Sequence, residues 1–387
     1  MNAIVESAES FSIADLSRYF FRLGYLGFGG PAALVQYMER DLVEEKKWFS
    51  PEEFKEGMAL AQLSPGPLAA QLAIYLGWVR FKNLGATLCG LCFVLPSFVI
   101  CVLFAAIYIR FSSMPWLQPV FYVVGAAVIG IIVTSSYKLG KKTIGKNKVL
   151  FFLWLLSALI TAITENENIY FILGTGVFYL FCEHPQLLRA KNSLLIGIPT
   201  LLTGMGGVAS GDTLKDIGFY FMKAGTFVFG SGLAIVPFLH SGVVNDLKWL
   251  TERQFMDAVA VAMITPGPVV ITVAFIGFLV AGFVGALVAA VATFVPCYLF
   301  TIIPAPYFNK YAKNVYLKSL ITGITVAAVG AIAGACWVLG KRAVTDPFTF
   351  IIAAGSCLAL FKTKIKEPVI ILISAIIGFI MYLIKFH

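Results

Sequence analysis

The chain is 387 residues long, 59% hydrophobic and only 13% charged, with a mean hydropathy of +0.88. Soluble domains carry about 25% charged residues, so that class is excluded, and the apolar runs that recur along the whole length indicate an all-α polytopic membrane protein. The net charge of +9 does not point to nucleic acid, because the basic residues sit in short loops such as Tyr137–Lys148 and Phe361–Glu367, as they do in cytoplasmic loops of membrane proteins.

The start, MNAIVESAES, lacks the basic region of a signal peptide, so the first apolar segment is expected to direct insertion. That segment, at about 14–37, holds Arg22 and is broken by Gly27–Pro31, GFGGP. A charged loop follows, in which Ser50-Pro51-Glu52-Glu53 predicts a helix start. The next segment, about 57–79, is broken by Pro65-Gly66-Pro67, with Gln62, Ser64 and Gln71 beside the break. Further spans are expected at about 84–109, 119–137, 149–164 and 168–182, and an unmatched apolar segment lies at 193–209. In the second half, about 214–240 holds Lys223 and the break Phe229–Gly232, FGSG. Thr251-Glu252-Arg253-Gln254 then predicts another helix start. The segment at about 257–279 is broken by Pro266-Gly267-Pro268, flanked by Thr265 and Thr272, and spans follow at about 284–304, 319–338, 347–361 and 368–384. The seven cysteines, including Cys89-x-x-Cys92, read as small helix residues rather than metal ligands.

The chain is written twice. An offset of 201 places Gly24 on Gly225, Gly29 on Gly230, Trp48 on Trp249 and Pro65-Gly66-Pro67 on Pro266-Gly267-Pro268. An offset of 200 then places Gly77 on Gly277, Gly85 on Gly285 and Pro96 on Pro296. The expected organisation is a first repeat at 1–190, a connecting segment at 191–212 and a second repeat at 213–387. Arg80–Asn83 is basic where Ala281–Gly285 is not, and Glu165–Asn168 is acidic where Lys362–Lys366 is basic. The charge bias is reversed between the halves, Lys341-Arg342 excepted, so inverted-topology repeats are expected. The count is about 13 crossings if every segment spans, and fewer if the broken segments are re-entrant.

Inverted repeats with discontinuous helices are a transporter architecture. Proline and glycine open a helix, and bare backbone groups survive in a bilayer only where protein or a water-filled cavity covers them. The half-helix that starts after a break presents N–H groups that favour an anion. The candidate substrate-binding residues are therefore Phe28, Gly29, Gly30 and Pro31; Gln62, Ser64, Pro65, Gly66, Pro67 and Gln71; Phe229, Gly230, Ser231 and Gly232; and Thr265, Pro266, Gly267, Pro268 and Thr272, with Arg22 and Lys223 as basic residues nearby. Glu56 and Asp257 occupy matching places before the second break of each half, where helix capping is the favoured role over proton shuttling. His184, His240 and His387 are scattered and no P-loop or GxSxG is present, so no enzyme and no cofactor or metal is expected. Pumping would then draw on an ion gradient or exchange.

FGGPAA, the EEKKWFS loop, and SPGPLAAQLAIYLGW with Gln71 to Trp78 as its QLA-x-Y-x-GW string resemble the chromate ion transporter family in its long, two-domain form, over nearly the whole chain. The resemblance implies a multi-pass protein of the prokaryotic plasma membrane that exports chromate, a tetrahedral dianion like sulfate, on the chemiosmotic gradient. Many members carry His or Gln shortly after FGGPA; here Leu34 and Val35 precede Gln36, which bears on selectivity. The partners implied are the lipid bilayer and a small oxyanion, no nucleic acid is expected, and a homodimer is left open. A carrier of sulfate or another oxyanion, and a non-transporting membrane scaffold subunit, stand as alternatives.

Overall fold

A computed structural model describes residues 11–28, 30–111, 114–165, 169–189, 213–226, 235–308, 314–363 and 365–386. Every regular element among them is helical.

The first two apolar segments do not cross; each turns back. Helix α1 (Ile13–Leu26) starts on a capping box of Ser12 and Asp15 and ends at Gly27. Gly30, at φ +73°, lets the chain leave in a new direction as α2 (Gly30–Glu39). A π-helical turn at Arg40–Glu45 continues α2 to the end where α1 began. There Phe11 stacks on Trp48 with ring centres 4.5 Å apart, and Tyr19 Oη donates to Asp41 Oδ2 at 3.2 Å. Helix α3 (Pro51–Leu63) starts on the expected capping box of Ser50 and Glu53. It enters from that same end, reverses at Pro65-Gly66-Pro67, and is met by the first arm of α4 (Leu68–Phe111) coming back. The pairing is antiparallel: Tyr75 Oη donates to Glu56 at 3.3 Å, and Arg80 donates to Glu53 at 2.8 Å and to Trp48 O at 2.9 Å. The expected spans at 14–37 and 57–79 are therefore re-entrant hairpins, and the crossing count falls accordingly.

The chain reverses once more at Phe81 and Lys82, where the backbone leaves helical values. The turn is tight because Gly77 and Gly85 face each other; a Cβ on either would overlap the carbonyl of the other. The second arm of α4, residues 83–111, then crosses the molecule, roughly 43 Å at 1.5 Å per residue. Helices α5 (Leu117–Ile144), α6 (Lys148–Thr164) and α7 (Ile169–Glu183) follow, with a short α8 (Gln186–Arg189) after them.

The second half rebuilds the same backbone. Helices α9 (Thr213–Thr226) and α10 (Ile235–His240) lead into a π-helical turn at Ser241–Asp246. Helix α11 (Glu252–Ile264) starts on a Thr251–Gln254 capping box, and α12 (Thr272–Ile302) breaks at Ala281–Gly282 with Gly277 packed on Gly285. Then come α13 (Val315–Ala343), α14 (Pro347–Lys362) and α15 (Glu367–Phe386). Lys47 and Lys248 share a positive φ, as do Lys82 and Gly282.

The halves run in opposite directions. Tyr108, at the far end of the long α4 arm, bonds Asp257 near the start of α11. Thr87, at the near end of that arm, bonds Tyr298 near the end of α12. One end of the molecule is basic: Arg40, Lys46, Lys47, Arg80, Lys82, Lys141, Lys142, Lys146 and Lys148 gather there, with Lys138 reaching Leu360 O and Lys366 reaching Tyr37. Lys341 and Arg342 lie at the other, far end as the exception expected from sequence. Arg342 is bonded there by Glu165 and Glu252, so its charge is matched. Leu84, Leu91, Leu95 and Val99 on α4, and Val284, Val291, Val295 and Leu299 on α12, form exposed apolar stripes at equivalent positions, as lipid-facing surfaces require. Five described helical stretches are long and apolar enough to cross a membrane, and three shorter apolar helices accompany them.

The glycine pair sets the hairpin geometry, and this can be tested. Gly77→Ala should destabilise the protein by about 1–3 kcal/mol through overpacking, seen as a lower thermal midpoint in detergent. Gly355→Ala, where nothing lies within 4 Å of the added Cβ, should not.

Candidate functional site

Three of the four breaks fall wholly or largely within the described residues; each tip stands halfway along a long arm, and two of them meet. Gly267 N–H donates to Gly27 O at 2.9 Å, so the Pro-Gly-Pro tip of the second half is bonded to the FGGP tip of the first. Ser97, near the middle of the long α4 arm and fully buried, donates to Gly24 O at 3.2 Å and stands against Gly267. In the mirrored relation, Gly66 stands against Cys297: a Cβ on Gly66 would lie 3.1 Å from its Sγ. Ser97 and Cys297 are the same position under the offset of 200. Cys101 adds a contact from its Sγ to Ile271 O at 3.5 Å. Each Pro-Gly-Pro tip is thus seated on the long arm of the opposite half.

Glycine is required at both tips. Gly66 has φ +143° and Gly267 has φ +92°, which other residues rarely adopt, and both back onto side chains of the other half. Immediately after the tips, helices begin. The N–H groups of Leu68, Ala69 and Ala70 open α4 without a carbonyl one turn earlier inside the helix. A 3-10 turn at Val269–Ile271 opens α12.

The side chains singled out from sequence divide. Ser64, Thr265 and Thr272 are buried, and Gln71 is fully buried beside the first Pro-Gly-Pro. The donors expected to serve an anion are largely committed within the hairpins: Gln71 Nε2 donates to Pro65 O at 2.9 Å, Thr265 Oγ1 to Val261 O at 2.8 Å and Thr272 Oγ1 to Val269 O at 2.7 Å. Gln71 Oε1 is buried without a partner. Pro67 is buried, and Pro65, Gly30 and Pro31 are half-buried near their tips, whereas Phe28 and Gln62 are exposed. Arg22 is exposed and Lys223 half-buried, each on the helix that leads to a first break, and neither has an ion pair among the described residues. Gly29, Phe229, Gly230, Ser231 and Gly232 lie outside the described residues.

Sequence reading passed over Ser97, Cys297 and the carbonyl of Gly27. The signal was available: Ser97 and Cys297 each follow the matched prolines Pro96 and Pro296. Asp257 also departs from its expected role. It is 3% exposed and six residues beyond Thr251, which itself caps α11.

Comparison with known proteins places this architecture. A family model described as chromate transporter matches residues 14–180 and again 215–379. A chromate transport protein of Cupriavidus metallidurans is 52% identical over 387 residues, covering 99% of this chain and 96% of that one. A protein of Synechococcus elongatus named probable chromate transport protein is 52% identical over 379 residues, covering 96% of each. A chromate transport protein of Pseudomonas aeruginosa is 26% identical over 392 residues, covering 96% of this chain and 93% of that one. No solved structure matches the chain. Two matched repeats, arranged as inverted halves around broken hairpins, belong with these relatives: the chain is a member of the chromate transporter family.

Proposed function

We propose that the chain is a secondary transporter that exports chromate across a prokaryotic plasma membrane, binding the dianion where the hairpin tips meet. The observation that carries the site is the bond from Gly267 N to Gly27 O, which joins an opening from each half at mid-depth. Its support for chromate is the pair of relatives at 52% identity over nearly the full chain. On this reading the unpaired first-turn N–H groups near the tips supply most of the donors. Gln71 Oε1 calls for a donor, which a water or a protonated oxyanion carries. The residues of the second FGSG break, with Phe229 to Gly232, are assigned to the same site through the repeat.

The basic end is assigned to the cytoplasm by its excess of Lys and Arg. The repeats are assigned to 1–190 and 213–387, in line with the two matched ranges. The segment 191–212 is the connection, because α7 returns to the basic end whereas α9 starts at the far end.

Inside-out vesicles holding the purified protein test the reading. With a membrane potential or pH gradient imposed, they should accumulate radiolabelled chromate. Pro65→Ala with Pro266→Ala, correctly inserted, should lower the rate at least about tenfold, equal to about 1.4 kcal/mol. Sulfate carried equally well would overturn chromate as the specific substrate, and the absence of flux in inserted wild-type protein would overturn transport.

A second expectation concerns the seat of the tip. Gly267→Ala meets both a left-handed backbone and Ser97, so it should lose on the order of 1–3 kcal/mol of stability together with flux. Adding Ser97→Ala should restore part of the thermal midpoint, since the overlap is relieved and the backbone penalty stays.

A further inference from the structure

At the far end lies a cavity of about 740 Å³ whose lining includes Gln118, Tyr122, Arg253, Asp257, Arg342 and Met381. Asp257 is the buried acid of that lining, at 3% exposure, on the hairpin arm that runs from the far end to the second Pro-Gly-Pro tip. Its Oδ2 accepts a bond from Tyr108 Oη at 2.7 Å, and it has no ion pair among the described residues.

The charged and titratable groups around it are spoken for, Arg253 excepted. On α13, Arg342 is bonded by Glu252 and Glu165. On α10, His240 meets Glu252 at 2.7 Å. On α5, Tyr122 donates to Asp346. Arg253, one turn back on α11 itself, is exposed and unpaired among the described residues. On α4 the facing group is Tyr108, whose ring packs on the uncharged Phe275 of α12, and α15 lines the cavity with Met381.

The repeat shows that the carboxyl–hydroxyl pair is rebuilt rather than inherited. In the first half Glu56 bonds Tyr75 of its own hairpin. The position matching Tyr75 is Phe275, which has no hydroxyl. Tyr108 comes from the opposite half instead, its ring 5.5 Å from Phe275, and delivers the hydroxyl to Asp257. The pair at the basic end closes one hairpin, whereas the pair at the far end joins the two halves on the wall of a cavity.

A fixed negative charge on that wall repels a dianion, and repulsion between charges grows as water is excluded. We propose that Asp257 is a proton-binding site on the transport path: it holds a proton while the oxyanion occupies the cavity and returns the proton to cavity water when the oxyanion has gone. The step balances as transfer from a hydronium ion to a carboxylate oxygen, leaving water, and its reverse. The inference rests on the chromate transport proposed above and takes the far-end cavity as the oxyanion's way between the tips and that end.

Proteoliposomes of the full chain test it by initial chromate rates at about pH 5 to 9, the range that spans carboxyl to neutral titration. Chromate itself titrates in this range, so wild type and variant are compared at each pH. The protonated fraction of one carboxyl changes by up to about tenfold per pH unit. Asp257→Asn mimics the protonated acid. It should carry chromate at every pH near the wild-type acidic rate and lose the wild-type excess pH dependence. Tyr108→Phe, which removes the bond to the charged form, should shift the wild-type profile toward alkaline pH. An unchanged profile in Asp257→Asn, or an inserted Asp257→Asn protein that is inactive at every pH, overturns the proposal. If Asp257→Asn does not insert, an unshifted Tyr108→Phe profile overturns it. Failure of wild type to move chromate would instead count against the proposed function, whereas wild-type flux that Pro65→Ala with Pro266→Ala abolishes leaves that function standing whatever Asp257 does.

Discussion

A backbone that abandons helical geometry in the middle of a bilayer must find its hydrogen bonds inside the protein. Here the two halves provide them for each other. The N–H of Gly267 and the carbonyl of Gly27 are both freed by chain breaks, and they pair across the halves. Ser97 covers Gly24 and seats Gly267, while Cys297 seats Gly66. Neither half could carry its Pro-Gly-Pro tip to this depth alone, because the surface on which the tip rests belongs to the other. The inversion follows from the same need: hairpins entering from one end only would leave their tips without an opposing long arm.

The repeat is deepest in the backbone and shallowest where charge is placed. The π-helical turns, the capping boxes, the positive-φ residues after them and the Gly–Gly reversals all recur at fixed offsets. The ties at the two ends do not. At the basic end Arg80 holds Glu53 and Trp48 within one hairpin. The matching position in the second half is Val280, and the corresponding hairpin is held by Arg342 of α13, which also reaches Glu165 of the first half. One hairpin is therefore tied to itself and the other to its surroundings, so the molecule is asymmetric in how its two ends can open even though its backbone is nearly symmetric.

Much of this was legible in the residues. Duplication, the break positions and the reversed charge bias are written in glycine, proline and lysine, whose local effects are strong and independent of distant packing. Direction after a break was not legible. Pro65-Gly66-Pro67 says that the helix opens, but whether the chain proceeds or returns depends on Gly57 lying against Tyr75 and on Arg80 reaching Glu53, contacts that no periodicity announces. The same holds at the tips. Gln71, Thr265 and Thr272 carry the right donors for an oxyanion, yet each donor has a carbonyl of its own hairpin within reach and uses it. Ser97 lay unnoticed in an apolar run because its significance comes wholly from the opposite half. Asp257 read as a cap because its distance from Thr251 in space, and Tyr108 beside it, were hidden.

The sparse charge at the tips fits the task proposed for them. A dianion held by several full ion pairs in a dry interior would be bound too strongly to leave, since attraction between unit charges rises steeply as the effective dielectric falls. Backbone N–H groups at helix starts offer partial charge instead, enough to replace water without trapping the ion. Arg22 and Lys223 stand on the approaches, five residues before Gly27 in the first case, rather than in the seat of the tips. On this reading the long-range attraction that brings an anion in and the short-range donors that hold it are carried by different groups. Release then needs only a small shift of the hairpins, because what must be broken is a set of hydrogen bonds from uncharged donors rather than a buried salt bridge.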